Sequence, residues 1–91
     1  SIDPERLIRN VGERVGEIRR LSERTQQELA DQLEVTLRYV QRVEAGEENL
    51  TLRSLAEFAN VLEVPLQELF TIPRPRKKRP GRPSKRTPRP V

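Results

Sequence analysis

The chain has 91 residues, enough for one small domain with an extension, and only 33% of them are hydrophobic against 35% charged. Cysteine and histidine are absent, which excludes a disulfide framework, a Cys/His zinc site and nucleophilic chemistry built on either residue. The net charge of +4 conceals a split: positions 1–72 carry 9 Arg against 14 Asp and Glu, net −5, while positions 73–91 carry 6 Arg and 3 Lys and no acid, net +9.

Asp3-Pro4-Glu5 reads as a helix start, with an N-cap oxygen, proline at the first helical position and an acid against the dipole. Leu7, Ile8, Val11, Val15, Ile18 and Leu21 then recur at three- and four-residue spacing, which puts them on one face of a first helix. Gly12 and Gly16 lie within it. Each costs about 1 kcal/mol in a helix interior relative to Ala, so they are either tolerated weakness or points of close backbone approach. Thr25-Gln26-Gln27-Glu28 is a capping box: the Thr hydroxyl accepts from the third helical N–H and the Glu carboxylate reaches back. Leu29, Ala30 and Leu33 give this second helix its buried side, and Glu34-Val35-Thr36 interrupts it.

Thr36 can cap a third helix, with Val40 and Val43 inward and Arg38, Tyr39, Gln41 and Arg42 largely outward. Ala45-Gly46 ends it, with Gly46 free to take the left-handed conformation. After the polar loop Glu47-Glu48-Asn49, Thr51 caps a fourth helix whose apolar face reads Leu52, Leu55, Ala56, Ala59 and Leu62. Val64-Pro65 breaks that helix, and Leu66, Leu69 and Phe70 indicate a last short helical turn. No alternating strand pattern occurs, so residues 1–72 read as an all-α body. No run of about 18 apolar residues is present, so no membrane span is expected. No secretory signal opens the chain. With no methionine, Ser1 reads as a processed or engineered start, compatible with a piece of something longer.

Residues 73–91 hold 6 of the 8 prolines and almost no apolar surface. This composition predicts a disordered, polyproline-II-biased basic tail. At about 3.1 Å per residue it would reach roughly 60 Å when extended. A charge split this sharp points to a folded body with a polyanion-binding tail.

Two short helices joined by a tight turn, the second polar at its N-terminal end, form a helix-turn-helix arrangement. A helix fits the B-DNA major groove, where its first turn reaches base edges while the preceding helix braces it on the backbone. The residues carry a more specific likeness. Thr25-Gln26-Gln27-Glu28-Leu29-Ala30, then Val35-Thr36, then Val43-Glu44-Ala45-Gly46, then Leu52 and Leu55, stand at spacings that resemble the phage-repressor-like (Cro/cI, or XRE) helix-turn-helix family from about Val11 to Phe70. That resemblance implies a five-helix lambda-repressor-like bundle that binds double-stranded DNA as a two-fold homodimer. Position by position, it implies a phosphate contact for Gln26. It implies a recognition helix opening with Thr36, Leu37, Arg38 and Tyr39, with Arg42 at another groove-facing position one turn further on; Gln41, outward by its spacing, is counted with them as a DNA-binding candidate. It also implies a backbone contact for Asn49 and a structural pair between Arg19 and Glu44.

Arg38 and Arg42 are four apart and share a helical face. A guanidinium fork can take guanine O6 and N7 together, or both residues can simply neutralise phosphate. Tyr39 can stack on sugar, touch a thymine methyl or pack inward, and Leu37 can read a methyl group or sit beside the cap. Three positions depart from the family pattern. Glu34 stands where glycine is usual, so a left-handed residue there would be strained and the turn is open to difference. Arg24 occupies a usually apolar position, and Pro65 replaces the common serine cap of the fifth helix. In the tail, Lys78-Arg79-Pro80-Gly81-Arg82-Pro83-Ser84-Lys85 resembles an AT-hook, with Arg79, Gly81, Arg82, Pro83 and Lys85 as the residues implied to meet an A·T-rich minor groove. Pro80 fills the place of the usual arginine, and a generic basic tail acting by counterion release is the alternative.

The sequence therefore leads to the expectation of a DNA-binding transcriptional regulator of prokaryotic or phage type, cytoplasmic and nucleoid-associated. Its helix-turn-helix body would span residues 1–72 and its tail 73–91. Double-stranded DNA, a second copy of the chain and RNA polymerase are the expected partners; the last would face Glu47-Glu48, which can equally be solvated. No cofactor, metal or small-molecule ligand is expected. Scattered carboxylates and a body too small to close a deep pocket argue against an enzyme. The competing reading is a protein-interaction module with a nucleic-acid-tethering tail. Leu62, Leu66, Leu69, Phe70 and Ile72 can form a self-complementary patch or close the monomer's own core.

Overall fold

The computed structural model describes residues 1–74. Four α-helices follow one another, α1 (Pro4–Leu21), α2 (Gln26–Leu33), α3 (Leu37–Glu44) and α4 (Leu52–Leu62), and a 3-10 helix, Leu66–Phe70, ends the bundle. No strand occurs among the described residues. All four α-helices begin where the sequence places a capping side chain. Asp3 accepts from the Glu5 N–H, Thr25 from Glu28, Thr36 from Tyr39 and Thr51 from Ser54. The Thr25 capping box is complete, with the Thr25 N–H donating to Glu28 Oε1 at 2.8 Å.

Three of the turns close in one way. After α1, α2 and α4 a glutamate (Glu23, Glu34, Glu63) takes a left-handed conformation with φ of 60–62°. The amide after each closes a six-residue loop: Arg24 to Arg19, Val35 to Ala30 and Val64 to Ala59 carbonyls, at 3.0–3.2 Å. Glu34 thus keeps the conformation glycine would supply, and the turn does not depart from the pattern. Two backbone hydrogen bonds, from its own N–H and from that of Val35, offset the cost of a β-carbon at positive φ.

The core gathers Val11, Val15 and Ile18 of α1, Leu29 and Ala30 of α2, Val40 and Val43 of α3, Leu55, Phe58, Ala59 and Leu62 of α4, and Leu69 of the last turn. Several periodicity assignments need correction. Leu7 and Leu21, expected on the buried face of α1, are exposed because they lie towards its two ends, outside the packed middle. Leu52 and Ala56 are exposed on α4, and Phe58, which the sequence reading passed over, is fully buried. Tyr39 lies half inward, its ring stacked on Phe58 at a centroid separation of 6.5 Å. The terminal apolar residues divide: Leu62 and Leu69 close the monomer's core, while Leu66, Phe70 and Ile72 remain exposed.

The fifth helix of the expected bundle is realised as a 3-10 turn. Pro65 stands at its N-cap position and supplies no side-chain cap. The turn is instead tied to α1 by Arg14, whose Nε donates to the Glu68 carbonyl at 2.8 Å and whose Nη2 meets the Glu68 carboxylate at 2.7 Å. The α1–α3 contact is close. A β-carbon on Gly12 would collide with the Val43 carbonyl oxygen and lie 3.2 Å from the Gly46 N. Gly12 is therefore a point of backbone approach between α1 and the end of α3.

Candidate nucleic-acid interface

α3 is divided lengthwise. Val40 and Val43 are fully buried, Arg38 and Gln41 are exposed, and Leu37 and Arg42 lie between. The division follows from spacing, since residues three apart share a face and the intervening polar residues are carried outward. Thr36 spends its acceptor on the Tyr39 N–H at 3.0 Å, so its part at this surface begins as a cap. Leu37 is half-buried beside it, and Asn49 is exposed in the loop after α3.

The helix pair is braced through one carboxylate. Arg19 Nε and Nη2 meet the two oxygens of Glu44 at 2.7 and 3.1 Å, and Arg19 Nη1 donates to the Arg24 carbonyl at 2.8 Å. Gln26 Nε2 donates to Glu44 Oε1 at 3.0 Å. A single acid at the end of α3 thus joins α1 to the first residue of α2, and Arg19 extends the link to the turn before α2. The two side chains of the pair are 11% and 9% exposed, so the bond is shielded from water. Gln26 is fixed by Glu44, and among the described residues its second amide hydrogen is unspent, so it can still donate. Arg24 is half-buried and its Nη1 donates to Ser22 Oγ at 3.2 Å, while its backbone carbonyl accepts from Arg19.

Arg42 is engaged by its own loop. Its Nε donates to Glu48 Oε2 at 2.8 Å, its Nη1 faces Glu47 Oε1 at 3.4 Å and its Nη2 faces the Glu47 carbonyl at 3.4 Å. The Glu48 hydrogen bond and charge make the guanidinium hold its proton more firmly than usual. Arg38, one turn earlier, has no ion pair among the described residues. The engagement of Arg42 is the main feature the sequence reading missed. The signal was present in the adjacency of Glu47-Glu48 to the helix end, but the path of the loop decides it.

The described chain ends beside this surface. Pro73 and Arg74 line a shallow cleft shared with Gln26, Gln41 and Glu44, and the Arg74 N–H donates to Glu17 Oε2 at 3.2 Å. Burial alone would raise the Glu17 carboxyl. The Arg14 hydrogen bond, the Arg74 amide and both positive charges outweigh it and hold Glu17 below the usual carboxylate range. The implied tail contacts at Arg79, Gly81, Arg82, Pro83 and Lys85 fall outside the described residues. Among the described residues no acidic or histidine cluster could hold a metal, and no helix is long and apolar enough to cross a membrane.

A capped helix with an open polar side, braced on a second helix across a tight turn, defines a helix-turn-helix DNA-binding domain. The helix-turn-helix family HTH_3 matches residues 15–69, and the chain belongs to that family. Among solved structures, the restriction-modification controller protein C.AhdI from Aeromonas hydrophila is 30% identical with a TM-score of 0.66, over 69% of this chain and 96% of that one. A hypothetical transcription factor, NHTF, from Neisseria is 26% identical with a TM-score of 0.70, over 79% of this chain and 83% of its own. ComR from Streptococcus suis is 31% identical with a TM-score of 0.58; the match covers 66% of this chain but 20% of that one. No curated protein matches the sequence.

Proposed function

We propose that the chain is a sequence-specific, double-stranded-DNA-binding transcriptional regulator that lays α3 in the major groove and acts as a homodimer in the prokaryotic or phage-infected cytoplasm, at the nucleoid. The observation that carries this reading is the lengthwise division of α3, with Val40 and Val43 sealed in the core and Arg38, Gln41 and Arg42 on the other side. In this reading Arg38 and Arg42 reach base edges, Tyr39 and Leu37 support them, and Gln26 and Asn49 hold the flanking backbone. The likeness to a controller protein and to a transcription factor supports regulation as the output. The protein acts by binding, without a reaction or cofactor. Leu66, Phe70 and Ile72, exposed at the end of the body, offer the apolar surface for a second copy. Glu47 and Glu48 are turned to Arg42, which weakens their case as a polymerase contact.

The body, residues 1–72, is the groove-reading unit, and 73–91 is a cationic arm that follows the backbone or an A·T-rich minor groove. The arm offsets a body of net −5, and the position of Pro73 and Arg74 in one cleft with Gln26 and Gln41 supports its starting near the proposed interface. Selection from random duplexes, followed by a footprint at about 0.15 M salt, tests the reading. A protected palindrome is expected; weak, sequence-blind retention would replace it with the protein-interaction module. Removing the residues after Arg74 tests the arm. If it neutralises about six phosphates, truncation flattens the slope of log K against log salt by about 5, and an unchanged slope removes the role.

A further inference from the structure

The proposed recognition surface carries two arginines in unlike states. Arg38 stands without an ion pair among the described residues, while Arg42 is held between Glu48 and Glu47. We propose that Glu48, assisted by Glu47, is a specificity-determining residue that reserves the Arg42 guanidinium for an uncharged base-edge acceptor and withholds it from phosphate. The inference rests on the reading of α3 as the major-groove helix.

Charge carries the argument. One guanidinium faces two carboxylates, so this corner of the surface is net negative. A phosphate brought to Arg42 meets repulsion from both acids at short range. Guanine O6 and N7 bring no net charge and avoid that repulsion. The donor count agrees. A guanidinium has five N–H groups, and three are directed at Glu48 Oε2, Glu47 Oε1 and the Glu47 carbonyl. One N–H on each terminal nitrogen is left for DNA. Glu48 is the firmer partner, at 2.8 Å and with 30% of its side chain exposed, against 3.4 Å and 58% for Glu47. Arg42, 42% exposed, remains accessible. Holding the guanidinium before DNA arrives also reduces the side-chain freedom lost on binding. Arg38, with no such neighbour, is the arginine left to serve either kind of acceptor.

The test uses the full chain and two duplexes, one selected from random sequence and one scrambled. Glu48→Gln is compared with Glu63→Gln, which removes the same charge at the far end of α4, and with Arg42→Ala; circular dichroism melts confirm that each is folded. Glu48→Gln is expected to tighten binding to the scrambled duplex about 3- to 5-fold and to steepen its salt slope by about 1 as a cation is released to phosphate. The selected duplex should gain less, so the ratio of the two affinities falls, while Glu63→Gln leaves the ratio unchanged. Equal gains on both duplexes, equal behaviour of the two glutamine variants, or no effect of Glu48→Gln would overturn the inference. Arg42→Ala separates the levels. If it lowers affinity on the selected duplex alone while Glu48→Gln is silent, the base reading stands and the role of Glu48 falls. If it weakens both duplexes equally, or neither, the base reading of Arg42 falls as well.

Discussion

Replacing Gly12 with Ala separates two accounts of a glycine in mid-helix, because they differ in sign. If Gly12 were only a weak helix residue, alanine would stabilise α1 by about 1 kcal/mol. The structure gives the opposite result. The added methyl would collide with the Val43 carbonyl oxygen and stand 3.2 and 3.3 Å from the Gly46 N and Cα. All three obstacles are backbone, so no side-chain rotation relieves them. Overpacking typically costs about 1–3 kcal/mol, and a backbone collision belongs at the upper end. Subtracting the gain in propensity leaves a net loss of about 2 kcal/mol. With a urea m-value of about 1 kcal/mol/M for a small domain, the midpoint should fall by about 2 M. Far-UV circular dichroism during urea titration reads this directly. Gly16→Ala is the milder comparison, because its methyl would meet side-chain rather than backbone atoms, Glu44 Oε1 and Arg20 Nη1 at 3.0 and 3.2 Å. A shift of a few tenths of an ångström relieves it, so its midpoint should fall less than that of Gly12→Ala. A Gly12→Ala midpoint at or above that of the parent would refute the argument that α1 and α3 meet backbone to backbone.

Three further outcomes follow from the same structure. Glu17, held below the ordinary carboxylate range by Arg14 and Arg74, contributes stability that is complete above its unfolded pKa and is lost as pH falls through the lower folded one. The difference in urea midpoint between the parent and Glu17→Gln should therefore shrink on acidification from pH 6 towards pH 3, and a difference that grew would reverse the assignment. Glu44→Ala leaves Arg19 shielded and without its carboxylate, at a cost of about 3 kcal/mol, near the low end for a broken buried pair; a loss below about 1 kcal/mol in the same titration would class it with surface pairs. Glu34→Gly relieves a β-carbon at φ 60° and should raise stability by about 0.5–1 kcal/mol after the added chain entropy is counted. A lowered midpoint would show that the left-handed glutamate is not strained.

Local features were legible in the sequence because the interactions that make them span three residues. Asp3, Thr25, Thr36 and Thr51 each announce a cap, and each forms it. The Arg19–Glu44 pair was reached through a family likeness, since nothing in either residue's neighbourhood points to the other across 25 positions. Arg14–Glu68, 54 positions apart, had no such guide and was missed. Leu52 and Phe58 were misjudged for a related reason: periodicity defines a face, but the neighbouring helices decide how wide the covered part is. At Glu34 the sequence shows the strain of a β-carbon at positive φ but not the two backbone hydrogen bonds that close the turn. Arg42 shows where residue type ceases to inform, since a solvated cation and one held by two acids read alike in a sequence.

The meeting of α1 and α3 at Gly12 has a consequence for how such a protein is retargeted. The tilt of α3 is set by main-chain contact and by Val40 and Val43 beneath it, not by the outward residues at 38, 41 and 42. Arg38 and Gln41 project outward from α3, whereas Arg42 is tied to Glu47 and Glu48 of the following loop. With α3 as the DNA-reading helix proposed above, exchanges at 38 and 41 would alter what that helix meets and leave its seating against α1 as it is.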